Sequence, residues 1–199
     1  MNVETIEREN SLQLIQIPLA FQQGKFGDLF GQKNNKTLAE TYLHPRYASL
    51  ARKLHGVYDE SLDRPLGKFL LDLKTRRDAN YKFFLNKHGD LTYCHFRLRN
   101  SADWTRKGVY FYFIEGELMY IGRCRDSMRK RIDLGYGKIH PKNCFIDGQS
   151  TNCHLNAKIA QHRSNVALWL AEMALDSEIV SREVELIRKY KPQWNIQRA

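Results

Sequence analysis

The stretch Gly108-Val109-Tyr110-Phe111-Tyr112-Phe113-Ile114-Glu115-Gly116-Glu117-Leu118-Met119-Tyr120-Ile121-Gly122 decides the fold of this chain. Val109 to Ile114 is an unbroken run of aromatic and β-branched residues, the composition of a buried strand. Glu115-Gly116-Glu117 supplies a tight turn, and Leu118 to Ile121 returns as the second strand of a hairpin. Asp126 or Ser127 then caps a helix running to about Leu134. From Gly135 to Thr151, three glycines and one proline predict a long loop, of the kind that is usually functional or mobile. A helix near Cys153 to His162, a third strand near Val166 to Ala171 and a helix from about Asp176 to Tyr190, stopped by Pro192, complete the chain. The predicted architecture is α/β: a small, mainly antiparallel three-stranded sheet flanked by helices.

The residues before this segment predict a mostly helical N-terminal region as far as about Arg77. Leu12, Leu14, Ile15 and Leu19 sit at roughly helical spacing until Pro18 disturbs it. Gln22 to Lys36 is polar and reads as loop. Thr37 and Glu40 have the spacing of a capping box, and Leu66, Phe69, Leu70 and Leu73 mark the apolar face of a short helix. Tyr81 to Leu85 and Leu91 to Leu98 read as a hairpin across Asn86-Lys87-His88-Gly89-Asp90. The expected organisation is an accessory region over 1–105 and a second domain over 106–199.

With 199 residues, the chain is long enough for one domain or two small ones. Hydrophobic residues make up 42% and charged residues 27%, which supplies a packed core and excludes a disordered chain. No apolar run approaches the ~18–20 residues of a membrane-spanning helix, and the acidic, polar start MNVETIEREN is unlike a secretory signal. A soluble, cytoplasmic protein without a membrane partner is expected. Cys94, Cys124, Cys144 and Cys153 form no C-x-x-C pair, so no disulfide framework is expected. His140, Cys144, Cys153 and His154 have the spacing H-x3-C-x8-C-H, which is not a usual zinc pattern; they read as structural cysteines and a loop histidine.

Thirty-two Lys and Arg against twenty-two Asp and Glu give a net charge of +10. That surplus points to a polyanionic partner, nucleic acid first and an anionic membrane second. It is spread along the chain: residues 1–105 carry 16 basic and 12 acidic residues, and 106–199 carry 16 and 10.

Gly108-Val109-Tyr110 and, nine residues on, Tyr120-Ile121-Gly122 resemble the paired motifs of the GIY-YIG nucleases. Lys130-Arg131-Ile132 matches the Lys-Arg-aliphatic sequence on the following helix of that family, one residue later than its usual spacing. Glu183-Val-Glu-Leu186-Ile187-Arg188-Lys-Tyr190-Lys-Pro192-Gln-Trp194-Asn195 follows the family segment E-x-x-L-I-K-x-H-x-P-x-Y-N, with Arg for Lys, Tyr for His and Trp for Tyr. The resemblance covers roughly residues 106–197. It implies a GIY-YIG-like catalytic domain acting as a metal-dependent DNA endonuclease. The catalytic residues it implies are Tyr110, Tyr120, Arg131, Glu183 and Asn195, with Glu183 holding Mg²⁺ or another divalent cation such as Mn²⁺. Tyr110 would help deprotonate the attacking water and Tyr120 would help place it. The auxiliary His or Tyr that the family carries a helical turn after the Arg falls here on Gly135, leaving Tyr136 and His140 as substitutes.

Elementary chemistry asks for the same groups. Phosphodiester hydrolysis needs an activated water and neutralisation of transition-state charge. One carboxylate suffices for a Mg²⁺ that keeps several waters and binds substrate phosphate. Glu185 lies about 200° round the helix from Glu183 and cannot face the same site. Arg131 offers a permanently charged fork suited to phosphate oxygens, and Arg129, two residues away, points elsewhere. A phenol with a pKa of about 10 is a poor base until a cation or metal lowers it. Arg123, Arg125, Lys130, Lys138 and Lys142 are the candidate DNA contacts, the last two in the Gly135–Thr151 loop beside His140, Asn143 and Gln149. Lys74, Arg76 and Arg77 read as a solvated helix end. The expected function is a sequence-specific, restriction-type endonuclease on double-stranded DNA, as a single copy or a homodimer. The alternatives are a structure-selective repair or recombination nuclease and a non-catalytic nucleic-acid-binding protein.

Overall fold

In the computed structural model, which describes residues 1–196, the N-terminal segment is sheet as much as helix. After α1 (Val3–Asn10) come two three-residue strands, β1 (Ile15–Ile17) and β2 (Leu19–Phe21). Leu12, Leu14, Ile15 and Leu19 therefore do not share a helical face. Ser11 ends α1 in the left-handed conformation (φ 50°), and Pro18 separates two strands that join different sheets.

The chain continues through α2 (Leu38–Tyr42), α3 (Ala48–Lys53) and α4 (Leu66–Thr75). The capping box at α2 is formed: Glu40 N–H donates to Thr37 Oγ1 (3.2 Å) and Thr37 N–H to Glu40 Oε2 (2.7 Å). Leu66, Phe69, Leu70 and Leu73 of α4 are buried, as their spacing requires. Tyr81–Leu85 and Leu91–Leu98 do not form a hairpin. Ala79–Phe84 winds as a 3₁₀ helix, and β3 (Phe96–Leu98) pairs with β2, Leu19 opposite Leu98 and Phe21 opposite Phe96. A partner so distant in sequence leaves no local signal.

Four strands, rather than three, make the main sheet. Buried β4 (Gly108–Ile114) lies between β5 (Glu117–Cys124) and a strand that follows α5 (Ser150–Gln161), β6 (Val166–Glu172). The order is β1-β6-β4-β5 and every pair is antiparallel, with β1 adding Ile15 opposite Leu170. The pleat sends alternate side chains of β4 to opposite faces. Val109, Phe111 and Phe113 share a core with Ile179, Leu186 and Ile187 of α6 (Asp176–Tyr190) and with Ile6 of α1. Tyr110 and Tyr112 face the other way.

Two compact units result, and their boundaries do not follow a division at Thr105. One comprises 1–24, 94–138 and 158 onward; the other comprises 25–93 and 139–157. The first unit holds the main sheet and takes the N-terminal strands that pair with β6 and β3. The second is built on Phe69, Leu70, Phe84, Tyr93, Cys144 and Phe145, and its share of the long loop contains a 3₁₀ turn over Pro141–Cys144. All four cysteines are free and buried; Cys144 Sγ and Cys153 Sγ lie 4.0 Å apart in this core. Among the described residues no group of three or more His, Cys, Asp or Glu side chains is gathered for a metal, and no helix is long and apolar enough to cross a membrane.

Candidate active site

A cluster of tyrosines occupies the face of the main sheet that α6 does not cover. The register of β4 with β5 slips between Tyr112 and Phe113, so that Tyr120 pairs with Tyr112 while Leu118 pairs with Phe113. Met119 is the extra residue. Without this bulge Tyr120 would point into the α6 core; with it, Tyr120 joins Tyr110. Their rings stack with centroids 6.2 Å apart, and Tyr112 stands 6.3 Å from Tyr120. Tyr112 was not singled out by its sequence, though its alternation with Tyr110 along Val109–Ile114 was the available signal. Both motif glycines have packing reasons. Gly122 sits opposite Tyr110, whose ring fills the place a β-carbon would take. Gly108 (φ 148°) lets β4 approach β6, where a β-carbon would run into the Ala171 carbonyl.

The helix after β5 is wound wider than an α-helix. Arg129–Tyr136 is π-helical, and Gly137 N–H donates to Ile132 O (2.6 Å), five residues back. The turn is wider than that of an α-helix, and Tyr136, five residues after Arg131, is brought beside it. The Arg131 guanidinium carbon lies 5.8 Å from the Tyr136 ring centroid, and the Tyr136 hydroxyl is 2.8 Å from that of Tyr110. Arg129 diverges as expected, stacking on Trp104 (4.2 Å). Lys130 is exposed beside Asp126 (3.6 Å).

Glu183 rises from α6 with its side chain 13% exposed and accepts a hydrogen bond from Arg123 Nη1. Arg131 Nε donates to the carbonyl oxygen of the same Arg123 (3.2 Å). Arg123 thus links the two charged groups, its guanidinium committed to Glu183 where a free DNA contact was expected. Glu185 faces away and pairs with Arg182 (2.8 Å).

Burial pushes the Glu183 carboxyl above the ordinary carboxylate range, and Arg123 and then Arg131 only partly offset it. Burial also drives the Tyr110 phenol well above its usual value. Tyr136 and Tyr120 add to the rise, against which Arg131 pulls incompletely. Tyr120 is raised in the same way, with Tyr136 and Glu183 adding to burial. Burial therefore keeps both phenols protonated, opposite to what a phenolate base requires.

Asn195 is used structurally. Its Nδ2 donates to Ile121 O (2.8 Å) and its Oδ1 accepts from Ile121 N–H (3.0 Å), while Trp194 N–H donates to the bulge carbonyl of Met119 (2.9 Å). The outer edge of β5 is thereby clipped on both sides of Tyr120. Both polar atoms of the Asn195 amide are thus engaged with the backbone of β5.

No hydrogen bond or ion pair is seen between the remaining basic candidates and this cluster among the described residues. Arg125 and Lys138 are exposed. His140 and Lys142 belong to the second unit, where His140 Nδ1 accepts from Lys142 N–H (3.3 Å). Comparison with protein-family models, with curated proteins and with solved structures finds no match to the chain.

Proposed function

We propose that this chain is a metal-dependent endonuclease hydrolysing DNA phosphodiester bonds, a sequence-specific enzyme of restriction type on the GIY-YIG pattern. The observation that carries the reading is the chain Arg131–Arg123–Glu183 beside the tyrosines of the hairpin. A guanidinium fork suited to phosphate oxygens, a cluster of neutral phenol hydroxyls and one sheltered carboxylate are the groups that phosphodiester hydrolysis needs.

The one-residue offset of Arg131 from the family spacing falls near Ser127-Met128, directly before the π-wound turns that carry Arg131. Tyr136, beside Arg131 and hydrogen-bonded to Tyr110, is the residue we assign to the family's auxiliary position.

A divalent cation fits the donor set. Mg²⁺ binds through one or two carboxylates and keeps water and substrate phosphate for its other positions, and Glu183 offers one carboxylate with little competing solvent. When bound, it supplies the positive charge that lowers water and phenol pKa values. Arg131 neutralises phosphate charge, and Tyr120, the least buried of the three phenols, orients a water by hydrogen bonding, backed by the Tyr110–Tyr136 hydroxyl pair. Arg123 is the group that must leave Glu183 for the carboxylate to act as a ligand.

Plasmid and genomic DNA incubated with the purified protein in Mg²⁺ and in EDTA test this. Discrete fragments in Mg²⁺, absent in EDTA and absent for Glu183→Gln, are expected. Intact DNA of retarded mobility under both conditions would overturn the catalytic reading.

A further inference from the structure

Lys33 is a buried residue whose ammonium has no oxygen to hold it. The residue is 9% exposed, and its Nζ lies 4.9 Å above the ring centroid of Phe145. Among the described residues no carboxylate, carbonyl or hydroxyl receives a hydrogen bond from it. Its backbone is fixed, N–H donating to Phe30 O (3.1 Å) and carbonyl accepting from Gly67 N–H (2.9 Å). A charge with so little of its side chain in water, and no oxygen bound to it, favours an anion beside it. Lys36 and Lys142 press on it electrostatically, and Asp147 alone opposes them.

Lys33 lines a cleft of about 530 Å³ in the second unit, walled by 32–35 on one side and 140–142 on the other. The lining holds two lysines, a histidine and three carboxamides, and no carboxylate. Both walls are tied down. Asn34 accepts from Lys68 N–H (2.9 Å) and donates to Gly31 O (3.0 Å); Asn143 Oδ1 accepts from His140 N–H (3.2 Å). The Lys142 ammonium and the Gln32 and Asn35 amides have no hydrogen-bond partner among the described residues. A second, smaller cleft of about 350 Å³ shares His140 and Lys142.

We infer that this cleft binds a phosphate group, with Lys33 as its buried charge and Lys142 as its exposed one. The source of that phosphate is the DNA backbone, a choice that rests on the nuclease reading; a free nucleotide presents the same chemistry. The carboxamides beside it have the donors and acceptors that base edges require.

Two variants test the site. Lys33→Met fills the buried stem without the charge, and exposed Lys142→Ala carries the same test should the first fail to fold. Duplex binding is followed by fluorescence anisotropy across a salt series, and inorganic phosphate and adenosine monophosphate are titrated by calorimetry. Each variant is expected to weaken duplex binding about tenfold and to reduce the slope of log affinity against log salt by about one, the signature of one lost phosphate contact. Loss of phosphate and nucleotide binding with unchanged duplex affinity would keep the site and overturn its DNA source. Unchanged binding of all three probes in both variants would overturn the site itself. Duplex binding that depends on Lys33, with no cleavage by the unaltered protein in Mg²⁺, would sink the nuclease reading and leave the phosphate site standing.

Discussion

Glu183 holds the guanidinium of Arg123 while the carbonyl of Arg123 holds Nε of Arg131 at 3.2 Å. Removing either partner of the ion pair has a distinct consequence. Arg123→Ala strands a carboxylate that is 13% exposed, whereas the lost guanidinium was 37% exposed. The destabilisation should be about 1–2 kcal/mol, below the ~3–5 kcal/mol typical of a fully buried pair, because solvent screens the exposed side. Urea unfolding of the two proteins measures it. Glu183→Gln keeps the shape and loses the charge. Its cleavage rate should fall at least ~100-fold, about 3 kcal/mol, while duplex affinity stays within about threefold. Equal loss of rate and affinity would argue against a role confined to the reaction.

The direction of the Glu183 shift sets a pH dependence. Its folded-state pKa is raised, chiefly by burial, so the fold favours the protonated form. The stability it contributes is full below the unfolded pKa and is lost as pH rises through the folded one. Cleavage should run the other way, because the ionised carboxylate is the active form. The acid limb of kcat/KM is expected above the ordinary value of 4.5, and Arg123→Ala, which removes the nearer of two opposing cations, should move it higher still. An acid limb at 4.5 or below, unmoved by the substitution, would assign the limb to another group.

Tyr110 and Gly122 are matched in the same way as a knob and its socket. A β-carbon at Gly122 would lie 2.5 Å from Tyr110 Cζ and 2.8 Å from its Cε2, and the ring is wholly buried with no room to retreat. Gly122→Ala should cost about 2–3 kcal/mol by overpacking. Most of that cost should vanish in a Tyr110→Ala background, where the ring is gone. A double-mutant cycle in urea measures the coupling; strictly additive losses would contradict the packing.

What the sequence disclosed was local. The hairpin of Val109–Ile114 and its return strand, α6 from Asp176 to Tyr190 and the Thr37–Glu40 box each carry their signal within one element. β1 was hidden because Ile15–Ile17 is three residues long and owes its form to Leu168–Leu170 of β6. β3 was given the wrong partner because nothing near Phe96 names Leu19–Phe21. At the candidate site, the resemblance to the GIY-YIG motifs implied Tyr110, Tyr120, Arg131 and Glu183 and offered Tyr136 or His140 in place of Gly135. It did not show the π-winding that carries Tyr136, or that Arg123 is spent on Glu183. Those depend on hydrogen-bond geometry and on which charges burial brings together.

Asn195 tests whether the edge of β5 is held for the sake of Tyr120. Its amide makes two bonds to the backbone of Ile121, at 2.8 and 3.0 Å, in the manner of one more strand residue. Asn195→Ala loses both, at about 1 kcal/mol each, so a drop of about 2 kcal/mol is expected in urea. Asn195→Asp retains only the acceptor. It also places a negative charge opposite the Ile121 carbonyl, so it should recover less than half of that loss. If Asn195 merely stabilises, cleavage at a temperature where both variants are fully folded should match the unaltered protein. If it positions the bulge, the rate should fall about tenfold at unchanged duplex affinity, because Tyr120 is aimed by backbone bonds one residue away. A fall in affinity with an unchanged rate would instead return Asn195 to the role of a DNA contact.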